Sequence, residues 1–208
     1  MTREEIEIFK KVFFDLPSRS FGETYVEAVL RRKYNEQHYE GTEADAYKEI
    51  VFETGIKTIQ KIEYKAARAL FEEVKEVTAF SMFDKIMASC SMSSRKASIE
   101  DIKRNIIKVN LQNIKCDKNG NFDFDYLRYV IVCNEGFYVF GLSCKDMINF
   151  VKNKEFPNWC SKHGSKESGL NGQFPITGDN INWHIKNTLI EVVSWEEVAS
   201  ILKSISYE

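Results

Sequence analysis

Apolar and polar residues follow each other along this chain with two different periods, and the changes of period mark its elements. Glu4 to Phe14 carries Ile6, Phe9, Val12 and Phe13 at helical spacing, and Pro17 ends that pattern. A second helix is expected over FGETYVEAVLRRKYNE, where Ser20 can cap the first turn and Glu23, three residues on, completes a capping box. ADAYKEIV and TIQKIEYKA read as antiparallel strands joined by a turn around Glu53-Thr54-Gly55. Their Glu, Lys and Ala content lowers β propensity, so IEYKAARALFEEVKEV also fits one amphipathic helix, with Glu63 a solvated charge.

Beyond Leu70 the chain reads as helix-like or irregular to Met87, and ASCSMSSRKAS, residues 88–98, is a small, Ser-rich, basic loop. Ser98 followed by acids and then Ile102, Ile106, Ile107 and Val109 predicts a capped helix from about Ile99. DKNGNFDFD has the outline of a calcium loop. Phe122 stands where such a loop needs glycine, and Arg128 where it needs a bidentate glutamate, so the Asn-Gly step is read as a tight turn. The clearest signal is FDYLRYVIVC and FYVFGLSC around Asn134-Glu135-Gly136, two β-branched and aromatic runs that predict a central hairpin. A capped helix over Lys145 to Lys152 follows. SKHGSKESGLNGQFPIT is expected to form no packed element. SWEEVASILKSI closes the chain as an amphipathic helix capped by Ser194, with Glu197 completing its box. This order predicts an α/β or α+β fold in one domain.

Charge and cysteine content narrow the function. The 208 residues carry 29 Lys and Arg against 31 Asp and Glu, so no global basic field announces a nucleic-acid partner, and any such surface is a local patch. Five cysteines, an odd number with no C-x-x-C pair, and three histidines argue against disulfides and structural zinc; free, mostly buried thiols are expected. The chain has no apolar run of membrane-spanning length, and MTREEIEIFKK is too charged for a signal peptide, so a cytoplasmic protein without membrane contact is expected.

The candidate chemistry lies in KIEYKAARAL. On a strand, Glu63 and Lys65 share a face while Tyr64 points the other way. Glu63 could then hold a divalent cation through oxygen, and the Lys65 ammonium could stabilise phosphorane charge or orient an attacking water. Asp45, across the Glu53-Thr54-Gly55 turn, is the candidate second carboxylate, with Glu49 and Glu53 its rivals. The spacing is weak alone, because Glu73-Val74-Lys75 and Asp101-Ile102-Lys103 repeat it. Glu23 is either a cap partner or an extra carboxylate facing the site from a neighbouring helix.

Four stretches in order resemble type II restriction endonucleases of the PD-(D/E)XK nuclease superfamily. They are KIEYKAARAL with Asp45 as partner; VNLQNIK with the FDFDYLRYVIVCNEGFYVFGL hairpin; SKHGSKESGLNGQFPIT; and NINWHIKNT with the SWEEVASIL helix. No Pro precedes Asp45, a departure from the family pattern. The resemblance implies a restriction-endonuclease-like fold, a central mixed β-sheet flanked by helices. Within residues 1–208 it implies N-terminal helices (1–37), a catalytic core (38–150) and a C-terminal DNA-contacting loop and helix (151–208). It also implies magnesium-dependent hydrolysis of double-stranded DNA, with Asp45 and Glu63 as metal ligands and Lys65 assisting water attack. Arg68 and Gln112 are candidate supports. Arg95, Lys96, Lys162, His163, Lys166 and Gln173 are candidate DNA contacts, since cations position on phosphate and amides read adenine edges. His163 as a general base and His184 as a metal ligand are disfavoured against structural or substrate-binding roles. A homodimer matches a short symmetric DNA target, with a related-subunit heterodimer as its variant. The alternatives are a methylation-dependent or repair nuclease of the same fold, and a non-catalytic interaction domain.

Overall fold

The computed structural model describes residues 2–17, 20–71, 95–116, 121–163 and 170–205. Helix α1 (Arg3–Asp15) starts at a reciprocal cap, in which the Thr2 hydroxyl accepts from the Glu5 N–H and the Glu5 carboxylate accepts from the Thr2 N–H. The second helical stretch has two windings: a wider π-helical segment over Ser20–Val26, then α2 (Glu27–Tyr34), which ends where Asn35 turns left-handed at φ 54°. The expected capping by Ser20 and Glu23 falls on side chains outside the described residues.

The main sheet takes β1 (Gln37–His38), β2 (Ala46–Val51), β3 (Lys57–Arg68), β5 (Tyr126–Cys133), β6 (Gly136–Ser143) and β9 (Leu189–Ser194), in the order β1-β2-β3-β5-β6-β9. It is mixed, because β3 runs parallel to β5 while every other neighbouring pair is antiparallel. The β2–β3 turn is made by Gly55 at φ 79°, a left-handed conformation that glycine adopts without steric penalty. A second, three-stranded sheet, β4-β8-β7, is built from β4 (Val109–Cys116), β7 (Cys160–His163) and β8 (Leu170–Ile176). Short α3 (Ile99–Lys103), α4 (Cys144–Lys152), α5 (Ile181–Thr188) and α6 (Trp195–Ile205) complete an α+β architecture. No described helix is long and apolar enough to cross a membrane.

Alternation along β5 divides the interior. Leu127, Tyr129 and Ile131 join one core with Leu111, Ile114, Phe140, Phe174 and Ile181, on the side of the second sheet. Val130 and Val132 join the other with Phe13, Phe14, Val29, Leu30, Phe137 and Trp195, under α1, α2 and α6. Buried on both faces, β5 reads as the continuous apolar run noted in the sequence.

Several expectations are corrected. The helix beginning at Ile99, capped as expected by Ser98, stops at Lys103: Asn105 takes φ 58°, and Val109 onward extends as β4. The apolar spacing of Ile106, Ile107 and Val109 serves a turn and a strand instead. SKHGSKESGLNGQFPIT was expected to be unpacked, yet Cys160–His163 and Leu170–Ile176 pair as β7 and β8, with Phe174 and Ile176 fully buried. Alternation in QFPI outweighs the Gly and Ser around it. At α6, Ser194 accepts from the Glu197 N–H, but the Glu197 carboxylate reaches Lys33 on α2. None of the three cysteines with described side chains is in a disulfide, but the expectation of mostly buried thiols fails among them: Cys133 is buried, Cys144 half-buried and Cys160 exposed. The segment 72–94 and the Asn-Gly turn lie outside the described residues.

Candidate active site

β3 is a twelve-residue strand, so Glu63 and Lys65 share the face turned toward the second sheet, while Ile62, Tyr64 and Ala66 enter the opposite core. The Lys65 ammonium donates to Glu63 Oε1. Glu63 is 2 % exposed, whereas the Lys65 side chain keeps 19 %, so the pair is reachable from solvent on the lysine side. Across Glu63 and Lys65 the backbone of β3 is paired with β5 on one edge; on the other the β2 ladder ends at Ile62 and Asp45 Oδ2 takes the Tyr64 N–H.

Asp45 stands one residue before β2, and its backbone and one carboxylate oxygen are anchored by neighbouring residues. Its N–H donates to the Ile62 carbonyl at 3.1 Å, its carbonyl accepts from Tyr39 N–H at 3.2 Å, and its Oδ2 accepts from Tyr64 N–H at 2.7 Å. Ile62 and Tyr64 flank Glu63, so Asp45 is held within about one residue's rise, ~3.4 Å, of Glu63 along the strand. The rivals fall away on geometry: Glu49 pairs with Lys57 at 3.4 Å, opposite Ile59, and Glu53 is exposed in the turn.

A third carboxylate was missed. Glu27, in the first turn of α2, is 7 % exposed and pairs with Arg31 at 3.1 Å and with His38 Nδ1 at 3.7 Å. Burial pushes its pKa up to about 7; the nearby Asp45 charge adds to the rise, and Arg31 opposes it. Glu27 lies one helical turn beyond Glu23 and is flanked by the buried Val26, Val29 and Leu30. That apolar flank was the signal that it is no solvated charge. The side chain of Glu23 itself lies outside the described residues.

The remaining candidates scatter. Arg68 is on the opposite face of β3 from Glu63; it donates to the carbonyls of Phe14 (2.6 Å) and Leu16 (2.7 Å) and lies over the Phe21 ring, closing the end of α1. The structure does not bring it to the Glu63–Lys65 pair. Gln112 is exposed at an irregularity in β4, on the second sheet. Arg95 is half-buried, and Lys96 pairs with Glu7 of α1 at 3.3 Å, so Lys96 already serves a contact within the fold. Gln173 is half-buried in β8, paired with Cys160. Lys166 and the side chains of Lys162 and His163 lie outside the described residues.

His184 is fully buried and stacked on Phe174 at 5.5 Å, and burial depresses its pKa to about 3. Its proton can be placed by accounting. The Thr188 hydroxyl donates to the His184 carbonyl (2.8 Å) and accepts from Tyr129, whose oxygen must therefore accept from His184 Nδ1–H (2.8 Å). The ring is a neutral core histidine, the first of the two roles, structural or substrate-binding, that the sequence favoured.

Among the described residues no group of three or more His, Cys, Asp or Glu side chains is arranged to hold a metal ion. Magnesium asks for less: one or two carboxylates, with waters and substrate phosphate oxygens completing its octahedron. Asp45 and Glu63 fit that requirement, and the Lys65 ammonium on Glu63 supplies positive charge where a cation would be expected. Comparison with known protein families, characterised proteins and solved structures finds no match to this chain.

Proposed function

We propose that the chain is a type II restriction endonuclease with a restriction-endonuclease-like fold, making magnesium-dependent, sequence-specific double-strand cuts in DNA, as a homodimer on a symmetric target. This rests on one arrangement: a Glu-x-Lys pair on one face of a central strand, with an aspartate tied by 2.7 Å to the amide between them. Magnesium, when bound, supplies Lewis-acid charge at the scissile phosphate and acidifies the attacking water. Asp45 and Glu63 would hold it. Lys65, on the solvent side of Glu63, is placed to donate to a phosphate oxygen and stabilise charge as it develops.

The test is digestion of unmodified and methylated phage DNA with magnesium by wild type, Asp45→Ala and Lys65→Ala. Discrete fragments from unmodified DNA, reduced by roughly 100-fold or more in rate in both variants, are expected. Cleavage of methylated DNA alone would transfer the proposal to a modification-dependent nuclease. No cleavage by a folded wild type would leave an interaction domain.

A further inference from the structure

Behind the candidate pair, on the other face of β3, lies a charged cluster that the proposed chemistry does not use. Tyr64, the residue between Glu63 and Lys65, donates its phenol proton to Glu36. Arg128 of β5, directly opposite Tyr64 in the parallel register, donates to the other Glu36 oxygen and, at 3.2 Å, to the Tyr64 hydroxyl. The Arg128 guanidinium lies 3.9 Å from the Tyr34 ring centroid and 5.5 Å from that of Tyr126. Glu36 and Arg128 are 8 % and 7 % exposed, and Arg128 Nε has no hydrogen-bond partner among the described residues.

Such a cluster is a poor way to gain stability, since apolar residues of the same volume do as well or better. Its effect is geometric. Tyr64 links three things: its phenol is locked to Glu36 and Arg128, its N–H fixes the Asp45 carboxylate at 2.7 Å, and its chain neighbours are Glu63 and Lys65. Glu36 is itself placed by the end of α2, its N–H bonded to the Arg31 carbonyl at 2.8 Å. Fixing Tyr64 therefore fixes, through one residue's backbone, both carboxylates proposed to take the cation.

We propose that Tyr64, Glu36 and Arg128 are positioning residues that hold Asp45 and Glu63 at the spacing a divalent cation requires, a role that rests on the nuclease reading above. They touch neither substrate nor metal. Their loss acts on cation affinity and kcat and leaves KM for DNA unchanged.

The test uses the full chain with Tyr64→Phe and Tyr34→Phe, each of which removes one hydroxyl and keeps its ring. The Tyr34 hydroxyl bonds outward to Glu191 at 2.6 Å, away from β3. Mn²⁺ binding by electron paramagnetic resonance, and the magnesium dependence of cleavage, are read for both. Tyr64→Phe is expected to weaken Mn²⁺ binding and raise half-saturating magnesium about tenfold, the scale of outer residues that orient metal ligands. Tyr34→Phe is expected to leave both unchanged. Should Tyr64→Phe fail to fold, Glu36→Gln is read by the same criterion. Wild-type Mn²⁺ affinity in a folded Tyr64→Phe, or an equal shift in Tyr34→Phe, overturns the positioning role alone. Wild type that binds no Mn²⁺ and cuts no DNA overturns it together with the nuclease reading.

Discussion

Two buried carboxylates, one at each end of α2, carry their charge in different ways. On the Tyr64 face, Glu36 and Arg128 neutralise each other inside a shell of tyrosine rings. At the start of α2, by contrast, Glu27 has Arg31 as a partner at 3.1 Å but Asp45 as a like-charged neighbour, and burial lifts its pKa to about 7. A fold selected only for stability would disperse such carboxylates. Carboxylates gathered in this way are found more often at functional sites than elsewhere, which makes this one worth testing.

The largest expected effect comes from breaking the Glu36–Arg128 pair. Arg128→Met leaves Glu36 buried without its partner and is expected to destabilise the fold by about 3–5 kcal/mol in urea unfolding. The double variant Arg128→Met/Glu36→Leu should recover most of that, and failure to recover would make the cluster a net source of stability.

At Glu27 the sign reverses. Glu27 is raised above its ordinary 4.5, so its contribution to stability is fully present below about pH 4.5 and is lost as pH rises through 7. At about 1.4 kcal/mol per pKa unit, Glu27→Gln should stabilise the protein at pH 8 by up to about 3 kcal/mol relative to its effect at pH 4.5. His184 works in the other direction. Depressed from 6.5 to about 3, it favours the fold above pH 6.5, and that contribution is lost as pH falls toward 3. Unfolding of wild type and Glu27→Gln across this range separates the two slopes; parallel curves would contradict the burial argument for Glu27.

The smallest expected stability change is at Asp45→Asn. Asparagine can still accept from the Tyr64 N–H while the charge beside Glu27 disappears, so stability should move by less than about 1 kcal/mol. Cleavage should nonetheless be lost. A fold that collapses in this variant would make Asp45 a structural residue.

Much of this was legible in the sequence, but unevenly. The β5–β6 hairpin was plain because both faces are buried and, Arg128 apart, β-branched and aromatic residues dominate it. The β2–β3 pair was legible despite poor propensity because the Glu53-Thr54-Gly55 turn fixed its register. β4, β7 and β8 were not: their apolar residues are interleaved with Asn, Gln, Gly, Ser and Lys, and Ile106, Ile107 and Val109 mimic a helix by chance of spacing. At the site, Glu63 and Lys65 needed only a period of two. Glu27 and Glu36 belong to the tertiary structure, through α2 and the turn after it. Even so, Arg128 inside YLRYVIVC gave warning, because a cation in a buried strand demands an acid from somewhere. Arg68 shows the converse, a cation that looked available yet closes the end of α1.

The layout of Asp45 and Glu63 for a divalent cation is tested most directly by thermal unfolding at pH 8 with and without saturating magnesium. Wild type should gain stability with the ion and Glu63→Gln should not, since only a ligand that prefers the folded state shifts the midpoint. An equal shift in both proteins, or none in wild type, would contradict the account.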